Sequence, residues 1–363
     1  MENKLKMEQI VMEKRTGKLL YLAIRADANP TIASGHLMRC IAIATACQKK
    51  NIPVLFIVSE PDGMELLQSR GFHAICLYNS YREKENELEM LLKICQEQKV
   101  THILVDSYEV TIHYLQRLRE EMVLFYLDDL NLFYYPVDVL INYSLGIRMR
   151  KYASKGDYQN TEILLGSSYT PLRQEFSGSP INVQKECENL LITTGGSDPY
   201  QVSYSLAKAL RRNASTVDMR LHIIVGKFYG NIEEMQQLVA QDKKMFLYQN
   251  ISNMAEVMRK CDLAVSAGGT TLSELCACGV PTVAFTMADN QIVGTKAYAD
   301  ADILYYVGDA RKDGLIEKLT DQICTLKEDE EKRIRMSHRS RQCVDGKGAE
   351  RIAEAIASYD KIK

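Results

Sequence analysis

The chain has no tryptophan, only 8 prolines in 363 residues, and no excess of charge, with 45 Lys+Arg against 47 Asp+Glu. That balance, a formal net charge of −2, removes the electrostatic basis for wrapping nucleic acid or for a polybasic membrane anchor. No run approaches the ~20 uninterrupted apolar residues of a membrane span. The opening residues MENKLKMEQIVMEKRTGK are charged throughout and lack the apolar core of a secretory signal. A soluble, cytoplasmic protein without nucleic-acid or membrane partners is therefore expected. There is no HExxH, no CxxC pair and no His-rich tract, and neither GxSxG nor GKS/T occurs. Zinc hydrolase, serine hydrolase and P-loop NTPase chemistries are set aside on that ground. The ten cysteines are scattered and read as reduced, buried small hydrophobes rather than a disulfide framework. Cys276 and Cys278 lie two residues apart in a helical pattern, so their side chains diverge and cannot share a metal. No metal and no cofactor are expected.

What the sequence does contain is alternation. Short β-branched apolar runs such as LLYLAIRA (19–26), VLFIVS (54–59), HILVDS (102–107) and VLFYLDD (123–129) are separated by longer amphipathic stretches at 36–49, 62–70, 84–98 and 111–121. A polar segment, FSGSPINVQKECEN (176–189), interrupts this, and the alternation restarts with LLITT (190–194), LHIIVG (221–226), LAVSA (263–267) and PTVAF (281–285). Continuous apolar strands between helices mark parallel sheets covered on both faces. The length suits two domains. The expected organisation is an extension over 1–17, a first Rossmann-like domain over 18–176, a linker over 177–189, a second Rossmann-like domain over 190–345 and a C-terminal helix over 346–363. Doubly wound domains bind ligands at the carboxyl ends of their strands, so the two are expected to face a common cleft there.

Three glycine-containing turns stand at such strand ends. In RADANPTIASGHLMRC (25–40), His36 opens a helix after Gly35 and beside Arg39. The positive end of the helix dipole disfavours imidazolium, so His36 is expected to serve as a neutral proton acceptor; a histidine that merely caps or packs is the alternative. In ITTGGSDPYQV (192–202), Gly195 and Gly196 let backbone approach a ligand, and Ser197 or Asp198 can cap the next helix. Exposed N–H groups there suit a phosphate, although an ordinary tight turn has the same look. In VSAGGTTLSELCACGVP (265–281), Gly268, Gly269, Thr270 and Thr271 form a donor-rich helix start suited to diphosphate. Glu274 lies one turn further on, where it could accept from a ribose diol; the T-x-x-E spacing fits a capping box with Thr271 as cap equally well. Asn290 and Gln291 of TMADNQ (286–291) can both donate and accept, as sugar contacts require. Asp27, Asp106 with Ser107 and Tyr108, and Asp128 with Asp129 also end strands, where an aspartate most often caps a helix or organises a loop.

In this order, RADAN…GHLMRC, DSY, DDL, SSYTPLRQEF, TTGGSDP, SAGGTTLSELCACGVP and ADNQ, the chain resembles the UDP-2,4-diacetamido-2,4,6-trideoxy-β-L-altropyranose hydrolases of pseudaminic acid biosynthesis, relatives of the MurG-like GT-B glycosyltransferases. The resemblance spans roughly 19–300. It implies a GT-B fold, UDP held mainly by the second domain, and metal-independent hydrolysis at the anomeric carbon. The catalytic histidine of the GHxxR motif corresponds to His36, and the substrate-contacting asparagine to Asn290. The nucleotide segment corresponds to Gly268, Gly269, Thr270, Thr271 and Glu274. Ala33 stands where the family usually has a glycine, Asn29-Pro30 alters the same loop, and Leu272 replaces a common aromatic. The expected site therefore comprises His36 as base; Asp27, Arg39, Tyr108, Asn290 and Gln291 around the sugar; and Gly195, Gly196, Ser197, Gly268, Gly269, Thr270, Thr271 and Glu274 around UDP.

The expected chemistry is water attack with inversion at C1. UDP is a good leaving group once held by N–H donors and needs no strong general acid, so one base suffices and a glycosidase-like carboxylate pair is not required. A GT-B transferase activating an acceptor hydroxyl, a 2-epimerase, and a UDP-sugar sensor without turnover are the alternatives.

Overall fold

The computed structural model describes residues 20–29, 35–226, 228–251 and 253–359. The 1–17 segment and positions Pro30 and Ala33 lie outside these described residues. The chain divides into two compact units, the first comprising residues up to Tyr143, Ile147–Pro171 and Ala349 onward, the second Ser144–Gly146 and Leu172–Gly348.

The first unit is built on seven parallel strands: β1 (Leu22–Ala26), β2 (Val54–Val58), β3 (His73–Cys76), β4 (His102–Asp106), β5 (Val123–Leu127), β6 (Val139–Asn142) and β7 (Glu162–Leu165). Their spatial order is β3-β2-β1-β4-β5-β6-β7. Every residue of β1, β2, β4 and β5 is buried, as continuous apolar runs covered on both faces require. Alternate side chains feed two cores. Leu22, Ile24, Phe56 and Phe125 pack with the helix Gly35–Lys49. Ala23, Leu55, Ile103 and Leu124 pack against Leu88, Leu91, Tyr114 and Leu115. The order reverses between β1 and β4, and such a switch point opens a crevice at the strand ends.

The second unit repeats the plan with β8 (Asn189–Thr193), β9 (Arg220–Val225), β10 (Met245–Gln249), β11 (Leu263–Ala267), β12 (Thr282–Thr286) and β13 (Tyr305–Asp309), ordered β10-β9-β8-β11-β12-β13. Here the switch point lies between β8 and β11. Leu190 and Ile192 face Leu206, Leu210 and Ile323, whereas Leu191 faces Met258 and Leu275.

The structure draws the unit boundaries differently from the sequence. Leu172 and Phe176 are buried in the second unit's core, so the chain leaves the first unit at Pro171. The 177–189 stretch, expected as a linker, is fastened to the second unit. Arg333, fully buried, donates to the carbonyls of Gln184 (2.9 Å) and Lys185 (2.7 Å) as well as those of Leu326 (2.7 Å) and Lys327 (2.6 Å). The closing helix Gly348–Ser358 returns to the first unit, burying Ile352, Ala353 and Ile356 in its core. All ten cysteines are unpaired. Among the described residues no helix is long and apolar enough to cross a membrane.

Candidate functional site

At the first unit's switch point the helix Gly35–Lys49 starts beside the end of β4. His36 and Arg39, three residues apart on one helical face, both reach Asp106, the last residue of β4. His36 Nδ1 lies 2.7 Å from Asp106 Oδ1, and Arg39 Nε donates to Oδ2 at 2.5 Å while its Nη2 donates to Oδ1. Burial alone would raise the Asp106 carboxyl; the charge and hydrogen bonds of Arg39, aided by His36, reverse this and hold it well below the ordinary carboxylate range. His36 Nδ1 thus lies between Asp106 Oδ1, which can only accept, and Arg39 Nη2 at 2.9 Å, which can only donate; a proton on Nδ1 satisfies the shorter of the two contacts and leaves Nε2 as the ring's proton acceptor.

Arg39 is also bonded to Asp129 Oδ2 at 3.1 Å and to the Tyr143 hydroxyl. Tyr108, 42% exposed, donates to the same Asp129 oxygen at 2.9 Å and sets its ring edge-on to His36, centroids 4.6 Å apart. Burial lifts the Tyr143 hydroxyl to about 12 against the pull of Arg39. Asp129 Oδ1 is buried without a hydrogen-bond partner among the described residues. The adjacent Asp128 plays a different part. Its Oδ1 accepts from Leu130 N, Asn131 N and the Tyr135 hydroxyl, each at 3.0 Å, and its Oδ2 accepts from the Tyr152 hydroxyl. It organises the loop after β5.

Of the expected first-unit residues, the structure thus unites His36, Arg39 and Tyr108, and adds Asp106, Asp129 and Tyr143. Asp27 does not join them. It sits in a separate buried ion cluster, accepting from Arg25 at 2.8 Å, Ser59 N at 2.7 Å and Lys84 at 2.8 Å. Glu87 completes the cluster, paired with Arg25 at 2.7 Å. Burial opposes ionisation of Asp27, yet the two cations bring its carboxyl down to about 2. Both oxygens are occupied, so the structure corrects the expected sugar contact to a structural role.

In the second unit the glycine turns follow adjacent strands, since β8 and β11 pair in register Thr193↔Ser266. A side chain at Gly195 or Gly196 would meet nothing within 4 Å, whereas one at Gly226 would run into the carbonyl oxygens of both. The turn therefore has a packed underside and an open upper face. Ser197 is exposed. Asp198 performs the capping, accepting from Val202 N and Ser203 N, each at 2.9 Å.

The second turn leads into the helix Thr270–Cys278, whose preceding residue Gly269 adopts φ 143° and offers no side-chain cap. The helix start is left without a side-chain cap beside the exposed Gly269 and Thr270 and the half-buried Thr271, with Leu272 N donating to the Gly269 carbonyl at 3.2 Å. The capping box does not form. Glu274 turns to Arg173 Nη2 at 3.4 Å, which Glu175 shares at the same distance. Burial raises the Glu274 carboxyl to about 7, with Arg173 opposing and Glu175 adding to the rise. Gly268 is closely packed, since a Cβ there would lie 2.5 Å from Thr295 Oγ1 and 2.9 Å from Gln291 Cβ. Gln291 Oε1 accepts from Met287 N at 2.8 Å, and Asn290 is exposed in the first turn of the helix Asp289–Asp300. No group of three or more His, Cys, Asp or Glu side chains is placed to hold a metal ion among the described residues.

Residues 190–356 match the glycosyltransferase family 28 C-terminal domain. The chain is 24% identical over 346 residues to the spore coat polysaccharide biosynthesis protein SpsG of Bacillus subtilis, covering 93% of this chain and 98% of that protein. It is 20% identical over 257 residues to the UDP-2,4-diacetamido-2,4,6-trideoxy-β-L-altropyranose hydrolase of Campylobacter jejuni, covering 69% of this chain and 85% of that one. Among solved structures, MurG of Acinetobacter baumannii matches at a TM-score of 0.66 and 16% identity, over 94% of this chain and 100% of that one. With two parallel-sheet α/β domains and these neighbours, the chain has the GT-B fold.

Proposed function

We propose that this chain is a nucleotide-sugar hydrolase that releases UDP from UDP-2,4-diacetamido-2,4,6-trideoxy-β-L-altropyranose, giving the free 2,4-diacetamido-2,4,6-trideoxy sugar used in pseudaminic acid biosynthesis. The observation that carries the proposal is the His36–Asp106 pair at 2.7 Å, buttressed by Arg39, because a tautomer-fixed imidazole is what a water nucleophile needs. The hydrolase name among the relatives supports the substrate.

In this mechanism the second unit holds the nucleotide. Thr270, Thr271 and the uncapped helix start, with the Gly195–Ser197 turn, bind the diphosphate, and Glu274 accepts from the ribose diol. Asn290 and Gln291 contact the sugar. His36 Nε2 takes a proton from water as its oxygen attacks C1 on the face opposite the diphosphate. The C1–O bond breaks, its electron pair leaves with UDP, and the anomeric configuration inverts. The resulting imidazolium is stabilised by ionised Asp106, and Tyr108 and Asp129 keep the ring in place. The residues so assigned require no metal and no cofactor.

A GT-B transferase is the second reading, favoured by the family 28 match over 190–356. It would use the same nucleotide site, with His36 deprotonating an acceptor hydroxyl instead of water. Proton and phosphorus NMR of the protein with the altrose substrate, in EDTA and without acceptor, separates the two. Release of UDP and free sugar is expected, and intact substrate overturns the hydrolase. Replacing His36→Ala should lower turnover by about 10²–10⁴-fold and leave UDP affinity unchanged; unaltered turnover removes His36 from the mechanism.

A further inference from the structure

Of the three residues that open the helix Asp289–Asp300, the two outer ones are fastened and the middle one is free. The preceding residue, Ala288, gives the helix no side-chain cap, a position that alanine fills poorly. Gln291 makes good part of this, its Oε1 reaching back to accept from Met287 N at 2.8 Å while its own N donates to the Ala288 carbonyl at 3.1 Å. Asp289 is held from outside the helix, where Arg311 Nη2 donates to its Oδ1 at 2.6 Å. Asn290, between them, is exposed, and its amide makes no hydrogen bond among the described residues.

The Asp289–Arg311 pair differs from an ordinary surface ion pair, which contributes little because two long side chains must be immobilised to make it. Here the guanidinium is fixed beforehand by Asp309, the last residue of β13 and itself buried. Asp309 Oδ1 accepts from Arg311 Nε and from Arg311 N, each at 2.9 Å, and Oδ2 accepts from Nη2 at 2.6 Å. Two parallel bonds along one edge of the guanidinium set its plane as well as its place. Ala310 N donates to the Thr286 carbonyl at 2.8 Å, which registers the turn after β13 on the end of β12, two residues before Ala288. A cation with a fixed position thus stands at the helix start. For helix stability alone, a serine or aspartate in place of Ala288 would serve with fewer groups. What this network fixes is the placement of the first turn, and a functional group is best presented from an element held in that way.

We propose that Arg311 is a positioning residue for sugar recognition: by clamping Asp289 to the end of β13 it sets the first turn of the helix so that the Asn290 amide is presented to the sugar of a bound sugar nucleotide. Arg311 itself touches no part of the ligand. This rests on the assignment of Asn290 to the sugar. The test titrates UDP-2,4-diacetamido-2,4,6-trideoxy-β-L-altropyranose and UDP into His36→Ala protein, which keeps the sugar nucleotide intact, and into the same protein carrying Asn290→Ala, Arg311→Ala or Asp289→Ala, with Tm measured for each. Asn290→Ala weakens the sugar nucleotide about tenfold, the size of one lost hydrogen bond, and Arg311→Ala and Asp289→Ala each weaken it about fivefold. UDP affinity stays within about twofold in all three, because one sugar contact is at stake. Tm stays near that of the parent, since an exposed ion pair contributes little stability. Combining Arg311→Ala with Asn290→Ala adds no further loss, as expected when one residue acts through the other. A loss in Asn290→Ala with none in Arg311→Ala overturns this proposal and leaves the sugar assignment standing. Weakened UDP binding in Arg311→Ala overturns it by placing the guanidinium on the nucleotide, and a lowered Tm with both ligands weakened overturns it by making the network structural. No loss in Asn290→Ala removes the sugar assignment itself, and this proposal with it.

Discussion

Glu274 offers a prediction whose size follows from its surroundings. Its side chain is 16% exposed, shares Arg173 with Glu175, and is raised by burial to about 7. A ribose diol donates two hydrogen bonds and needs the ionised carboxylate to receive them. With a pKa near 7, the ionised fraction is about 0.9 at pH 8 and about 0.1 at pH 6, so nucleoside affinity should fall about tenfold across that interval. Uridine is the right probe, because neither its base nor its ribose titrates there, whereas the terminal phosphate of UDP does. Titration calorimetry at pH 6, 7 and 8 measures the effect. Glu274→Gln should bind more weakly at pH 8 and show no pH dependence. The free protein carries the complementary signature. A carboxyl raised in the folded state binds its proton more tightly there, so stability is greatest below the unfolded value and falls as pH rises from about 4.5 to about 7. The loss reaches about 3 kcal/mol at most. The glutamine variant should therefore gain Tm relative to wild type above pH 7, and the gain should shrink as pH falls and vanish below about pH 4. A wild-type uridine affinity that is flat from pH 6 to 8 refutes the assignment of Glu274 to the ribose.

Two further substitutions test the remaining geometry. Asp106→Asn keeps the shape but turns an NH₂ donor toward either His36 Nδ1 or the Arg39 guanidinium. Turnover should drop about 10³–10⁴-fold with UDP affinity intact, and stability should fall by about 3 kcal/mol as a buried pair is broken; turnover within threefold of wild type would show that Asp106 does not set the histidine tautomer. Because the Asp106 carboxyl is depressed, its stabilisation is complete above about pH 4 and is lost as pH falls through the folded value, so the Tm gap should persist from pH 8 to 5 and narrow in stronger acid. Gly268→Ala places a methyl 2.5 Å from Thr295 Oγ1 and 2.9 Å from Gln291 Cβ. The overpacking should lower stability by about 1–3 kcal/mol and weaken UDP binding as the helix Asp289–Asp300 shifts; an unchanged Tm would show that this contact gives way freely.

The central strands are legible in the sequence because they are apolar on both faces: VLFIV of β2 and VLFYL of β5 read the same whatever surrounds them. β7 (Glu162–Leu165) is not legible in the same way. It is a four-residue edge strand, half exposed, whose short EILL run lacks the length that distinguishes the buried strands. In the candidate site, His36 and Arg39 can be paired by their helical spacing. Asp106 looks like any strand-end aspartate, and Asp128 and Asp129 look alike. The structure separates those two by what surrounds them, backbone amides and tyrosines for Asp128, Arg39 and Tyr108 for Asp129. Asp27, equally a strand-end acid, is claimed by Arg25 and Lys84, the latter 57 residues away.

The sequence by itself determined the local pieces: parallel strands from unbroken apolar runs, helices from amphipathic spacing, and open turns from paired glycines at strand ends. These depend on side-chain periodicity and backbone freedom within a few residues. Tertiary structure alone decided which strand ends became neighbours, that the last helix belongs to the first unit through Ile352 and Ile356, and that the 177–189 segment is anchored by Arg333. It also decided the electrostatics. The same carboxyl group is depressed at Asp106 by an arginine delivered from another element and raised at Glu274 by burial. A pKa is set by desolvation and by charges a few ångströms away in space, and neither is written in the neighbouring residues of the chain.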